Sequence, residues 1–112
     1  IFAPDITRIL IEDLCEKVPE QQLHAFLATR KKMKLKQGEV KKKLLELHNV
    51  KEKTIEEFCL AEEIEFISLT DMLQQKTREG IQTYYCYDQH WTPEGHKVVA
   101  EFLAEKLQKY DN

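Results

Sequence analysis

The chain has 112 residues, a net charge of −3 and 42% hydrophobic residues. That length bounds it to one domain or part of one, and the mild negative charge excludes a global electrostatic pull toward nucleic acid or an anionic membrane. No apolar run approaches the roughly 20 residues a membrane span needs. Cys15, Cys59 and Cys86 form an odd set without C-x-x-C spacing, which fits neither a disulfide framework nor a structural zinc site.

Ile1-Phe2-Ala3-Pro4 has no initiator Met and reads as the end of a buried strand entering a loop, so a fragment of a larger domain is expected. Pro4-Asp5 then opens a helix whose stripe of Ile6, Ile9, Leu10, Asp13 and Leu14 ends near Val18. Pro19 suits the first turn of a second helix, with Leu23, Phe26 and Leu27 on one face. That helix runs into Arg30-Lys31-Lys32-Met33-Lys34-Leu35-Lys36 and is expected to stop or kink at Gly38. Val40, Leu44 and Leu47 carry a third helix, or a continuation, to about His48. Asn49 with Glu52 reads as a capping box for a helix that turns Ile55, Phe58 and Cys59 inward. Cys15 and Cys59 are expected to be buried free thiols.

Ile64 to Leu69 is short, β-branched and aromatic, and reads as a strand. Thr70 or Asp71 can cap a short helix ending at Gly80, a good left-handed terminator. Tyr84 to Tyr87 is extended in character. Thr92-Pro93 starts a last helix with Val99, Phe102, Leu103 and Leu107 as its buried face. This succession suits a piece of an α/β sandwich.

The chemistry concentrates in Tyr87-Asp88-Gln89-His90-Trp91-Thr92-Pro93-Glu94-Gly95-His96. In an extended segment, residues two apart share a side. Asp88 can therefore meet His90, fix its tautomer and leave the other ring nitrogen as a base. Trp91 could shield the pair from water. The bland alternative is that Asp-x-His before a helix does only turn and capping chemistry.

Asp88-x-His90-Trp91-Thr92-Pro93-x-Gly95-His96, followed by Val98-Val99-Ala100-Glu101 and an amphipathic helix, resembles the C-terminal motif of SGNH/GDSL-type hydrolases. It is most similar to the branch reading D-x-H-W-x-P-x-G, which includes the alginate O-acetylation proteins and related acyl esterases. The likeness extends over about Ile55 to Leu107. It implies a partial SGNH-type three-layer α/β sandwich, helix-rich with two or three short strands. Residues 1–112 would be a single domain or the C-terminal fragment of a larger SGNH hydrolase-like domain. By the same resemblance His90 is the general base that deprotonates a serine and Asp88 orients it, with His96 as a second candidate base. The substrate class implied is a small-molecule or carbohydrate acyl ester, with no cofactor and no metal; the compartment stays open from the residues, and the resemblance alone favours an extracytoplasmic one (periplasmic or cell surface).

The family's nucleophile belongs to a G-D-S-like motif, and the chain has none. Its one serine, Ser68, lies in the apolar segment Phe66-Ile67-Ser68-Leu69 without a nucleophile-elbow pattern. Cys86, two residues before Asp88, allows a Cys–His arrangement on paper. The expectation is a chain that supplies two-thirds of a triad and by itself has little or no hydrolase activity. The alternatives are a non-enzymatic helical interaction module and a catalytically dead family member. Arg30 to Lys43 holds eight basic residues and one acid, Glu39; without interleaved aromatics it reads as a solvated helix face rather than a nucleic-acid site. A metal site from Asp88, His90 and His96 lacks the spacing of known ligand sets.

Overall fold

The computed structural model describes residues 1–22, 39–86 and 88–110. They form two compact units, one of Ile1–Ile9 with Phe66–Asn112 and one of Leu10–Glu65. The division falls inside the first helix, α1 (Ile6–Lys17). Then come α2 (Val40–Ala61), α3 (Thr70–Arg78) and α4 (Pro93–Leu107), with a 3-10 turn at Gln108–Tyr110. Asp5 starts α1: its carboxylate accepts from the Arg8 backbone N–H at 2.8 Å, satisfying a donor the helix cannot pair internally. The expectations for Leu23, Phe26, Leu27, the basic run through Lys36 and the stop at Gly38 lie outside the described residues.

In the unit of residues 10–65, Ile11, Cys15 and Val40 are buried. Glu20 caps α2 from a distance in sequence. Its Oε1 accepts from the backbone N–H of Val40 at 2.8 Å and of Lys41 at 3.4 Å. Burial pushes the Cys15 thiol up, the Lys41 charge opposes this and the Glu20 charge adds to it, so the thiolate is disfavoured there. Cys15 is thus the buried free thiol expected, whereas Cys59 is half-buried and also free.

Two expectations fail in α2. The helix does not restart at Asn49; it runs unbroken, and the Asn49 side-chain amide donates back to the Leu45 carbonyl at 2.7 Å. A capping box competes with helix continuation, and here continuation wins. Nor do Ile55 and Phe58 turn inward, since both are exposed. The helix ends in a Schellman arrangement: Ile64 N–H donates to the Cys59 carbonyl at 2.8 Å, and Glu63 takes a φ of 56°.

In the other unit, α3 packs against α4 around Leu69, Leu73, Tyr84, Val98 and Val99, with Ile9 buried as well. The expected strands shrink to single bridges among the described residues. Phe2 pairs parallel with Ser68, and Tyr84 pairs antiparallel with Trp91. Phe2 N–H donates to the Ile67 carbonyl at 2.7 Å and Leu69 N–H to the Phe2 carbonyl at 3.0 Å. With one bridge on each segment there is no ladder to extend, so the β-rich residues of Ile64 to Leu69 stay irregular. Neither Thr70 nor Asp71 caps α3. Leu69 takes the cap position without a side-chain bond, and Ser68 Oγ accepts from Thr70 N–H at 3.1 Å. Gly80 does terminate α3 as its left-handed preference predicts, at φ 97°. Of the face expected for α4, Val99 is buried, Phe102 and Leu103 are half-buried and Leu107 is exposed.

Candidate functional site

The motif sits on a loop closed at its base. Tyr85 N–H donates to the His90 carbonyl and Thr92 N–H to the Thr83 carbonyl, both at 3.1 Å. Thr92 then turns the chain into α4: its hydroxyl accepts from Gly95 N–H at 3.0 Å and donates to the Gln82 carbonyl. Pro93 takes the first helical position, where its missing N–H costs nothing. Gly95 is buried because α4 begins against this loop. A β-carbon there would stand 2.1 Å from the Thr83 carbonyl oxygen, so only glycine permits the approach.

Inside the loop, Asp88 Oδ1 accepts from the backbone N–H of His90 at 2.7 Å and lies 3.4 Å from His90 Nδ1. The two residues expected to meet therefore do meet. Strand alternation is not what joins them: an Asx-type turn folds the carboxylate over the following backbone. The hydrogen bond goes to the His90 backbone, as turn chemistry requires, and the ring nitrogen stands 3.4 Å from the same oxygen.

The pair is open to water, with the His90 side chain 85% and the Asp88 side chain 45% exposed. Trp91 does not shield it. The indole is half-buried and meets Tyr84 at 6.5 Å and His96 at 5.3 Å between ring centroids, both edge-on. His96 lies one turn into α4, with its backbone N–H on the Thr92 carbonyl at 2.9 Å. Cys86 is exposed, and its sulfur accepts from Gln82 Nε2 at 3.5 Å. Among the described residues, no group of three or more His, Cys, Asp or Glu could hold a metal ion.

Beneath the loop, Tyr84 is buried and its hydroxyl donates to the Pro4 carbonyl at 2.6 Å. Burial pushes the Tyr84 hydroxyl pKa up, the Trp91 indole pulls it down and the Asp5 charge pushes it up again. Sequence reading missed this tie because it joins positions 80 residues apart. It also missed Ser68 as a cap; a serine two residues before a helical threonine was the available signal.

The Asp-x-His-Trp loop thus leads directly into a Thr-Pro-capped helix. A family model described as "SGNH hydrolase-like domain, acetyltransferase AlgX" matches residues 25–112, and the chain belongs to that family. No curated protein and no solved structure matches the chain. The family is of the acyltransferase type, and among the described residues no helix is long and apolar enough to cross a membrane.

Proposed function

We propose that the chain supplies the base and its orienting acid, His90 and Asp88, to a serine-type O-acyl transfer or ester hydrolysis. The observation that carries this is the Asp88 carboxylate at 3.4 Å from His90 Nδ1. That side of the ring faces the carboxylate, while Nε2 has no partner among the described residues. In the reaction, Nε2 takes the proton of a serine hydroxyl as its oxygen adds to the acyl carbonyl. The proton then passes to the departing alcohol as the acyl-serine forms. An acceptor alcohol, or water, repeats the two steps in reverse and regenerates the serine. Asp88 keeps the imidazole in the Nδ1–H tautomer and stabilises the imidazolium between steps.

The serine comes from residues outside this sequence. Ser68 is occupied in starting α3, its Oγ accepting from Thr70 N–H. A carbohydrate acyl ester as substrate, acetyl foremost, and an extracytoplasmic compartment follow from resemblance to the alginate O-acetylation proteins. A second reading, an interaction module or a family member without activity, draws on the bond to the His90 backbone at 2.7 Å, which is shorter than the approach to the ring. A turn needs no more than that.

The test is turnover of p-nitrophenyl acetate by the natural protein that carries this sequence, with His90→Ala beside it. Loss of a general base lowers kcat by about 10²–10⁴-fold, and that loss is the expected result. Unchanged turnover in His90→Ala removes the base assignment. In the 112-residue chain, ¹⁵N NMR should show the neutral His90 ring protonated on Nδ1, and Asp88→Asn should abolish that preference. An Nε2–H ring in the unsubstituted chain favours the turn-only reading.

A further inference from the structure

One face of α2 is apolar and open. Leu47, Val50 and Phe58 lie on it, with Thr54 between them at helical spacing, and they are 58%, 57% and 60% exposed. Among the described residues of this helix only Val40 is buried.

Charge along α2 runs against the helix dipole. Lys41, Lys42 and Lys43 fill the first turn, which holds no acid, and the last turn holds no base. Glu56 and Glu57 precede that last turn and Glu62 and Glu63 follow it, all four exposed. A helix favours acids at its start and bases at its end; the Glu20 carboxylate and the N-cap Glu39 meet this at the start, but the lysine run and the acidic C-terminal end leave opposite charge exposed at the two ends of α2. The Lys43–Glu46 ion pair, at 3.8 Å with both side chains about half exposed, offsets little of this.

We propose that α2 is a self-association helix, on which a second copy of the chain packs antiparallel through Leu47, Val50, Thr54 and Phe58. A two-fold axis near the middle of the helix sets Leu47 against the partner's Phe58 and Val50 against the partner's Thr54. It also brings Lys42 and Lys43 beside the acidic end of the partner helix and opposes the two dipoles. A two-fold interface must be self-complementary, and an apolar stripe with opposite charge at its two ends meets that condition when the copies run antiparallel. A parallel pair would stack lysines on lysines and glutamates on glutamates. This association is independent of the acyl-transfer reading.

Sedimentation velocity of the 112-residue chain over about 10 μM to 1 mM should show a reversible monomer–dimer equilibrium. Leu47→Lys with Phe58→Lys should weaken it at least about tenfold, as loss of a central apolar contact does. Circular dichroism checks that these exposed substitutions leave the fold intact. A Lys42→Glu, Lys43→Glu variant and a Glu56→Lys, Glu57→Lys, Glu62→Lys, Glu63→Lys variant should each be monomeric alone and dimeric when mixed. Carbodiimide coupling of ¹⁴N and ¹⁵N copies should join Lys42 or Lys43 of one copy to the Glu56–Glu63 stretch of the other. A monomer across the whole range overturns the proposal, as does a dimer insensitive to these substitutions or one in which Lys42 or Lys43 couples instead to Glu39 or Glu46 of the other copy.

Discussion

At Asp88 one carboxylate oxygen accepts from the His90 backbone N–H at 2.7 Å and stands 3.4 Å from the ring Nδ1. The backbone bond fixes where the carboxylate sits, so the ring approaches an acceptor already in place. A two-residue spacing thus brings carboxylate and ring near each other without a strand. Tyr84 links pH to stability in the unit that carries the motif. Burial and, less, the Asp5 charge favour its neutral form against the opposing Trp91 indole, and the hydroxyl donates to the Pro4 carbonyl. The folded pKa is raised, so the stabilisation is fully present below the unfolded value of about 10 and is lost as pH rises through the folded value. Tyr84→Phe should therefore cost about 1 kcal/mol at pH 7, the net worth of one hydrogen bond. The gap between the two proteins should close above about pH 10 in urea titrations, because only the tyrosine must then ionise or stay buried. A gap independent of pH would show that the hydroxyl is not what the fold protects.

The helices differ in how well their ends are made. α3 stops at a glycine that accepts a positive φ without strain. At the same place α2 uses Glu63, at φ 56°. Glu63→Gly should raise stability by about 1 kcal/mol, the cost of a left-handed conformation for a residue with a β-carbon, read as a higher urea midpoint at unchanged slope. α4 depends on contact at its start. Gly95→Ala forces a methyl onto the Thr83 carbonyl, which must displace backbone rather than a side chain. A loss of about 1–3 kcal/mol is expected, with the Asp88–His90 loop disturbed as well, visible as shifts of the His90 ring signals. An unshifted, equally stable variant would mean that α4 does not seat on this loop.

Over the whole molecule, burial is uneven. Leu69, Leu73, Tyr84, Val98 and Val99 are buried in the unit that carries the motif, whereas α2 beyond Val40 buries no residue among those described. At low micromolar protein, amides from about Val50 to Leu60 should exchange with deuterium at least about tenfold faster than those of Leu73 and Val99, because local opening there exposes little new apolar surface. Equal protection would place α2 in a core. The sequence by itself determined α1, the stop at Gly80, the Thr92-Pro93 helix start and the turn that folds Asp88 onto the His90 backbone, since each rests on bonds among residues a few positions apart. Its family likeness was legible for the same reason, in a contiguous run of residues. Tertiary structure alone decided the rest. Whether Asn49 starts a helix or rides inside one depends on which bonds the flanking residues already make. Whether Ile64 to Leu69 forms a strand depends on a neighbour to pair with, and here Phe2 supplies a single bridge. The caps from Glu20 and Ser68 and the Tyr84–Pro4 tie are choices among chemically equivalent partners, made by proximity in space, which local pattern does not encode.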